Sequence, residues 1–188
     1  MRLYKMVTMA DRADNLPIGE KELKILISNL GTKKGFRAMF FLILGTGMNL
    51  DDCLGIKLQD INYAQNQIMV LDRGLARMRC VKLNPSIVKA LTEYQDGRLN
   101  PTEHLFPISN QTAITTLYDL SQTRIGKPIS WIAVRRTWAI LCFRAGIGLK
   151  DMMESSGASA DQLAVWSLWE KGNGGKKDPP DLLAGLLK

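Results

Sequence analysis

The chain has 188 residues, 46% of them hydrophobic, with 25 Lys and Arg against 18 Asp and Glu, a net charge of +7 and a pI of about 9.4. Those values suit one well-packed domain, are too small for two ordinary ones, and exclude a membrane-spanning class, because no apolar run reaches the roughly 18 residues that a span requires. The longest apolar candidate, Phe36 to Leu44, is interrupted by Arg37. Near the N-terminus no continuous apolar stretch leads into a small-residue cleavage site, so a cytoplasmic protein is expected. Cys53, Cys80 and Cys142 are scattered and lack metal-like spacing, which reads as reduced, mostly buried thiols with no metal and no cofactor. The positive excess falls in the range of nucleic-acid-binding domains, although charge alone does not establish that partner.

Residues 1–15 mix basic and apolar groups without a period and are expected to form an arm or a first strand packed on the body. Leu23, Leu26, Ile27 and Leu30 recur at i, i+3, i+4, i+7, the stripe of an amphipathic helix that Gly31 ends. Phe36 to Leu44 is apolar on nearly every face and stops at Gly45-Thr46-Gly47, predicting a buried helix that turns into another over Leu50 to Gly55. Gln67 to Leu71 and Arg79 to Leu83 favour strands around Asp72-Arg73-Gly74, predicting a hairpin with a basic tip. Asn84-Pro85 is an N-cap and first-turn pair for a helix with Ile87, Val88, Leu91 and Tyr94 on one face. A short helix is expected over Gln111 to Leu120, and the strongest one follows Pro128, where Val134, Trp138, Leu141 and Ala145 form a stripe ending at Gly146. The main domain thus covers 16–170, and 171–188 hold a Gly-, Lys- and Pro-rich linker with a short apolar segment. The fold class expected is mainly α with a small antiparallel β-sheet (α+β).

Two phrases carry more than periodicity. Thr46-Gly47-Met48-Asn49-Leu50-Asp51-Asp52-Cys53-Leu54-Gly55-Ile56-Lys57-Leu58-Gln59-Asp60-Ile61 resembles T-G-M-R-x-x-E-L-x-x-L-x-x-x-D-I, and Ile132-Ala133-Val134-Arg135-Arg136-Thr137 resembles H-x-x-R-R/H-T. Both patterns are those of the tyrosine recombinases (phage integrases), and helices around a small basic hairpin are similar to their catalytic domain. Further likenesses are Arg79-Cys80-Val81-Lys82-Leu83 to R-x-V-P-L, Leu105-Phe106-Pro107 to L-F-P, and Ser156-Gly157-Ala158-Ser159 to L-G-H-S.

Set on that resemblance, most of the family's chemistry is missing. Asn49 stands where the first catalytic arginine is implied, Ile132 and Ala158 where histidines are, and Ser167 where the nucleophilic tyrosine is. Arg73 is the nearest counterpart of the catalytic lysine, and Arg135 keeps the second arginine. The last tyrosine in the sequence is Tyr118 and the single histidine is His104, both ahead of the Arg135 helix, so no shift of register supplies those groups. His104 itself reads as an exposed loop residue. Ser155, Ser156, Ser159 and Ser167 are weak nucleophiles without a nearby base.

Binding relies on distributed phosphate contacts, and Lys33, Lys34, Arg37, Lys57, Arg73, Arg77, Arg79, Arg124, Lys127, Arg135 and Arg136 are the candidates to face double-stranded DNA. Solvated surface charge is the plainer alternative for each, and for Arg135 the alternative to an anion contact is an internal ion pair. Three functions compete: a catalytically inactive DNA-binding protein with an architectural, regulatory or accessory role, an active strand-exchange enzyme whose nucleophile is displaced or supplied by a partner, and a protein-interaction module with incidental charge. Leu182, Leu183, Leu186 and Leu187 would dock on another protomer, a homo-oligomer or an active recombinase, or else fold back on their own body.

Overall fold

A computed structural model describes residues 15–31, 33–72, 77–95, 97–98 and 100–171, with side chains described up to 168. Its elements run α1 Glu20–Asn29, α2 Lys34–Thr46, α3 Leu50–Gly55, a 3-10 turn Leu58–Asp60, β1 Ile61–Asn62, β2 Gln67–Asp72, β3 Arg77–Lys82, α4 Pro85–Gln95, α5 Asn110–Ile125, α6 Trp131–Arg144, α7 Leu149–Ser156 and α8 Ala160–Lys171. The predicted fold class is what forms: helices around one three-stranded antiparallel sheet in the order β1-β2-β3.

Capping chemistry sets where the helices begin. Asn49, Asn84, Ser109 and Ser130 each turn a side-chain oxygen to a backbone N–H of the first turn, at 2.7, 2.9, 3.0 and 3.1 Å. Ser159 and Gln162 cap α8 reciprocally, the Ser159 hydroxyl accepting from the Gln162 N–H and the Gln162 amide oxygen accepting from the Ser159 N–H. Helix α2 is apolar all round because it is buried all round, from Phe36 to Leu44 except Arg37. It packs against α4 and α6, and the rings of Phe36 and Phe40 lie 5.7 and 6.2 Å from that of Trp131. Trp138, Ala139, Cys142, Met152, Ala158, Leu163 and Trp166 form a second core cluster under α6, α7 and α8.

Several expectations change in detail. The hairpin gains the short strand β1, paired Ile61 to Ile68 through a turn in which Asn66 takes φ 51°. Helix α5 is 16 residues long instead of a short piece within Gln111 to Leu120, and ends at Gly126. Cys53 and Cys142 are buried and free, but Cys80 is exposed because it lies on the outer face of β3 opposite Met69. The 1–15 arm beyond Asn15, the Arg73 tip and the 171–188 tail beyond Lys171 lie outside the described residues.

Candidate phosphate-binding site

The turn between α2 and α3 is built by Thr46-Gly47-Met48-Asn49. Gly47 ends α2 at φ 69°, and a Cβ there would sit 2.1 Å from the Trp138 ring, so both backbone shape and space demand glycine. Thr46 Oγ1 donates to the Leu42 carbonyl at 2.6 Å. Asn49 does not project from the turn as a cation would. Its Oδ1 accepts the Asp52 N–H at 2.7 Å and starts α3.

Helix α6 brings up the second arginine. Arg135 is half-buried, its Nε donates to the Gly47 carbonyl at 2.8 Å, and its guanidinium carbon lies 5.2 Å from the centre of the Trp166 ring. No salt bridge to Arg135 forms among the described residues. Burial pulls its pKa down from the ordinary guanidinium value to about 10, Asp52 opposes that shift and the like charge of Arg79 adds to it. The residue stays a cation at neutral pH.

Beneath it lies a buried ion pair. Arg79 Nη2 meets Asp52 Oδ2 at 3.0 Å, with 5% and 4% of the two side chains exposed. Arg79 Nη1 also donates to the Ser155 carbonyl, and the Ser155 hydroxyl donates to the Thr46 carbonyl at 2.8 Å. Gly157, at φ 68°, lets the chain pass this guanidinium, since a Cβ would lie 3.2 Å from Arg79 Nε. One cluster therefore joins the α2–α3 turn, β3, α6 and the α7–α8 turn.

The sequence placed Arg79 and Arg136 among DNA-facing cations, and the structure turns both inward. Arg79 shares the inner face of β3 with Val81 and is used by Asp52. Arg136 is 6% exposed and donates through Nη1 to the Asn15 carbonyl at 2.7 Å, while Thr137 Oγ1 accepts from the Ile18 N–H at 2.8 Å. These two residues hold the entering chain against α6. An inside position removes a cation from any surface contact with a phosphate.

The remaining candidates separate into two regions. Lys33 and Arg124 share a cleft of about 350 Å³ with Asp119, Thr123 and the floor residues Leu30 and Phe36. Lys34 is exposed beside it, Arg37 stacks on Phe41 at 5.3 Å, and Lys127 pairs with Glu22 at 2.7 Å. Arg135 lies at the other end of α2, a helix of 13 residues, and at 1.5 Å per residue the two regions are about 20 Å apart. Exposed Arg77 and half-buried Lys57 flank the hairpin and α3, and Arg73 is outside the described residues. Ile132 is 44% exposed one turn before Arg135, Ala158 is a core residue, and the Ser167 hydroxyl donates to the Ala164 carbonyl at 2.7 Å. His104 is exposed, as expected, and its backbone bridges to Lys57. Trp166, whose helical spacing from Trp169 reads in the sequence as packing, also faces Arg135. Its spacing from Arg135 carries no local signal, because the two meet only when α8 packs on α6.

A helical domain with one antiparallel meander and an inward-aimed arginine behind a helix-turn-helix frame has the fold of a tyrosine-recombinase catalytic domain. The chain is 25% identical over 179 residues to the tyrosine recombinase XerC of Pediococcus pentosaceus, an alignment covering 84% of this chain and 59% of the relative. It superposes on a XerA recombinase with TM-score 0.68 at 20% identity, covering 91% of this chain and 62% of that one. A lambda integrase dimer bound to a COC′ core site gives TM-score 0.69 at 16% identity over 89% and 64% of the two chains. XerH bound to palindromic difH substrate, in a post-cleavage complex, gives 0.65 at 19% over 85% and 51%. No family model matches the chain. The sequence likeness and the shared fold together support a tyrosine recombinase/integrase-family domain, and the chain spans about three fifths of the length of the curated relative. No helix among the described residues is long and apolar enough to cross a membrane.

Proposed function

We propose that this chain is a DNA-binding protein on a recombinase frame that does not carry out strand exchange by itself and serves an architectural, regulatory or accessory role. The observation that carries this reading is the fate of position 49. Where the resemblance implies an arginine, the Asn49 side chain is spent on the α3 N-terminus, 2.7 Å from the Asp52 N–H. A neutral amide bound to backbone cannot place a positive fork on a phosphate. Positive clamps in phosphoryl transfer contribute on the order of 10³ to 10⁵ in rate, and the nucleophile that would split the reaction into two steps is absent from the aligned positions.

Anion binding has different requirements. Arg135 keeps a charged guanidinium at the turn, anchored through Nε, and among the described residues no hydrogen bond or ion pair engages its two outer nitrogens. That geometry supports contact with a DNA phosphate, and the DNA-bound lambda integrase and XerH structures make duplex DNA the partner of choice. In this reading the protein is cytoplasmic, on the nucleoid if the cell is prokaryotic, and oligomerises or joins an active recombinase.

A second reading has specific support: the relatives are recombinases, so this chain would exchange strands itself, with a displaced nucleophile or one supplied by a second copy of the chain. Incubation with nicked suicide duplexes separates the two. No covalent protein–DNA adduct is expected from the protein alone, and a reproducible adduct overturns the first reading. Band shifts across salt should show duplex binding that weakens steeply, and absence of binding at low salt removes both readings.

A further inference from the structure

We infer that Trp166 is a positioning residue for the anion contact of Arg135, an inference that rests on the DNA-binding reading above. The ring belongs to α8, one residue before the position where the resemblance implies the nucleophile, and it is 6% exposed. The Arg135 guanidinium carbon lies 5.2 Å from its centre, and Arg135 Nε is held at 2.8 Å by the Gly47 carbonyl. These two contacts act on different parts of the guanidinium. The carbonyl holds Nε, and the indole presents its face to the guanidinium carbon, so the ring restricts how the group can swing about that anchor. The edge bearing Nη1 and Nη2 is then the one free to present a two-pronged donor to a phosphate.

An aromatic face suits this task where a carboxylate does not. A carboxylate partner would neutralise the cation and compete with phosphate for the same nitrogens, whereas a ring attracts the cation from its face and leaves the edge donors free. Trp166 is itself locked in the cluster of Trp138, Met152, Ala158 and Leu163, so the platform is rigid. Ala158 in that cluster keeps the surroundings apolar where the resemblance implies a histidine. The helix that would deliver a nucleophile thus orients the retained arginine instead.

The test uses the full chain and a duplex of random sequence. Arg135→Gln should weaken binding and lower the salt slope by about one, the share of a single phosphate. Trp166→Met keeps an apolar side chain of good size without a π face, and should weaken binding by roughly tenfold, the scale of a desolvated cation–π contact. Trp166→Phe should stay within about threefold of the parent, and Trp166→Met should add nothing in an Arg135→Gln background. Equal binding by Trp166→Met and the parent, with Arg135→Gln weakened, overturns the positioning role and leaves DNA binding standing. Failure of the parent to bind removes the DNA reading itself. If Trp166→Met does not fold, tryptophan emission decides: saturating duplex should change it in the parent and not in Arg135→Gln, and an unmoved parent spectrum overturns the inference.

Discussion

Asp52→Asn is the sharpest probe of how the site is held. In the folded chain Asp52 and Arg79 are 3.0 Å apart with almost no solvent on either. The substitution keeps the size of the side chain, and it leaves the α3 cap intact because that hydrogen bond uses the Asp52 backbone N–H. What it removes is the negative charge, so Arg79 remains as a buried cation satisfied only in part by the Ser155 and Glu154 carbonyls. Breaking a buried pair from one side costs about 3–5 kcal/mol, against a total stability of about 5–15 kcal/mol for ordinary domains. At about 2–4 °C per kcal/mol, the midpoint of thermal unfolding should fall by roughly 6–20 °C. Urea unfolding of Asp52→Asn, Arg79→Met and the double variant closes the cycle. The double should be more stable than the sum of the singles implies, by about 2 kcal/mol or more, since it leaves no unpaired charge inside. A loss below about 1 kcal/mol for Asp52→Asn, or strict additivity, refutes the claim that this pair fastens β3 and the α7–α8 turn to α3.

Three further outcomes are expected. Asn49→Ala should cost about 1 kcal/mol in urea unfolding, because it deletes the α3 cap; a neutral result would mean that the cap is not used in solution. Thiol labelling of the native protein should modify Cys80 quickly and spare Cys53 and Cys142, whose burial raises their thiol pKa, to about 12 for Cys142; three equally fast thiols would contradict the fold. The Arg135 share of DNA affinity, read as the difference between parent and Arg135→Gln, should be level from about pH 6 to 9 and fade near pH 10. The sign follows from its lowered folded-state pKa: the folded chain holds this proton less tightly, so the destabilisation is complete below about pH 10 and disappears as pH rises toward the ordinary guanidinium range. An anion on Arg135 offsets it. A dependence centred near pH 7 would assign the contact to another group.

Where local rules govern, the sequence already contained the fold. Gly47 had to be glycine for a left-handed turn against Trp138, and Asn84-Pro85 could hardly do other than start a helix. Helix α5 was foreshortened because its exposed face of Gln111, Thr115 and Thr123 hides the period marked by Ala113 and Leu117. Helix α8 lacks a clear stripe, although Ser159 and Gln162 stand at capping-box spacing. The direction of an arginine is a different matter. Arg79 could have been turned inward by its two-residue spacing from Val81, and Arg136 by the absence of a polar face over Trp131–Cys142, but its partner Asn15 lies on another segment. The ring over Arg135 depends on α8 docking on α6 and had no local trace at all.

On the proposed DNA-binding reading, the separation of cations along α2 limits how this chain would hold a duplex. A rigid duplex seated at the Gly47 end reaches Arg135, Arg77 and Lys57, while Lys33, Lys34 and Arg124 lie about 20 Å away at the other end of a helix rising 1.5 Å per residue. With a salt slope of about 0.9 per phosphate, about three contacts weaken binding by roughly 40-fold between 50 and 200 mM salt. Engagement of both ends, about six contacts, would steepen that loss to roughly 2,000-fold. A shallow slope therefore means one-sided, individually weak binding, which needs an oligomer or a recombinase partner to become stable on DNA. A steep slope means that the chain is wrapped by its nucleic acid or bridges two duplexes, and the accessory role gives way to an architectural one.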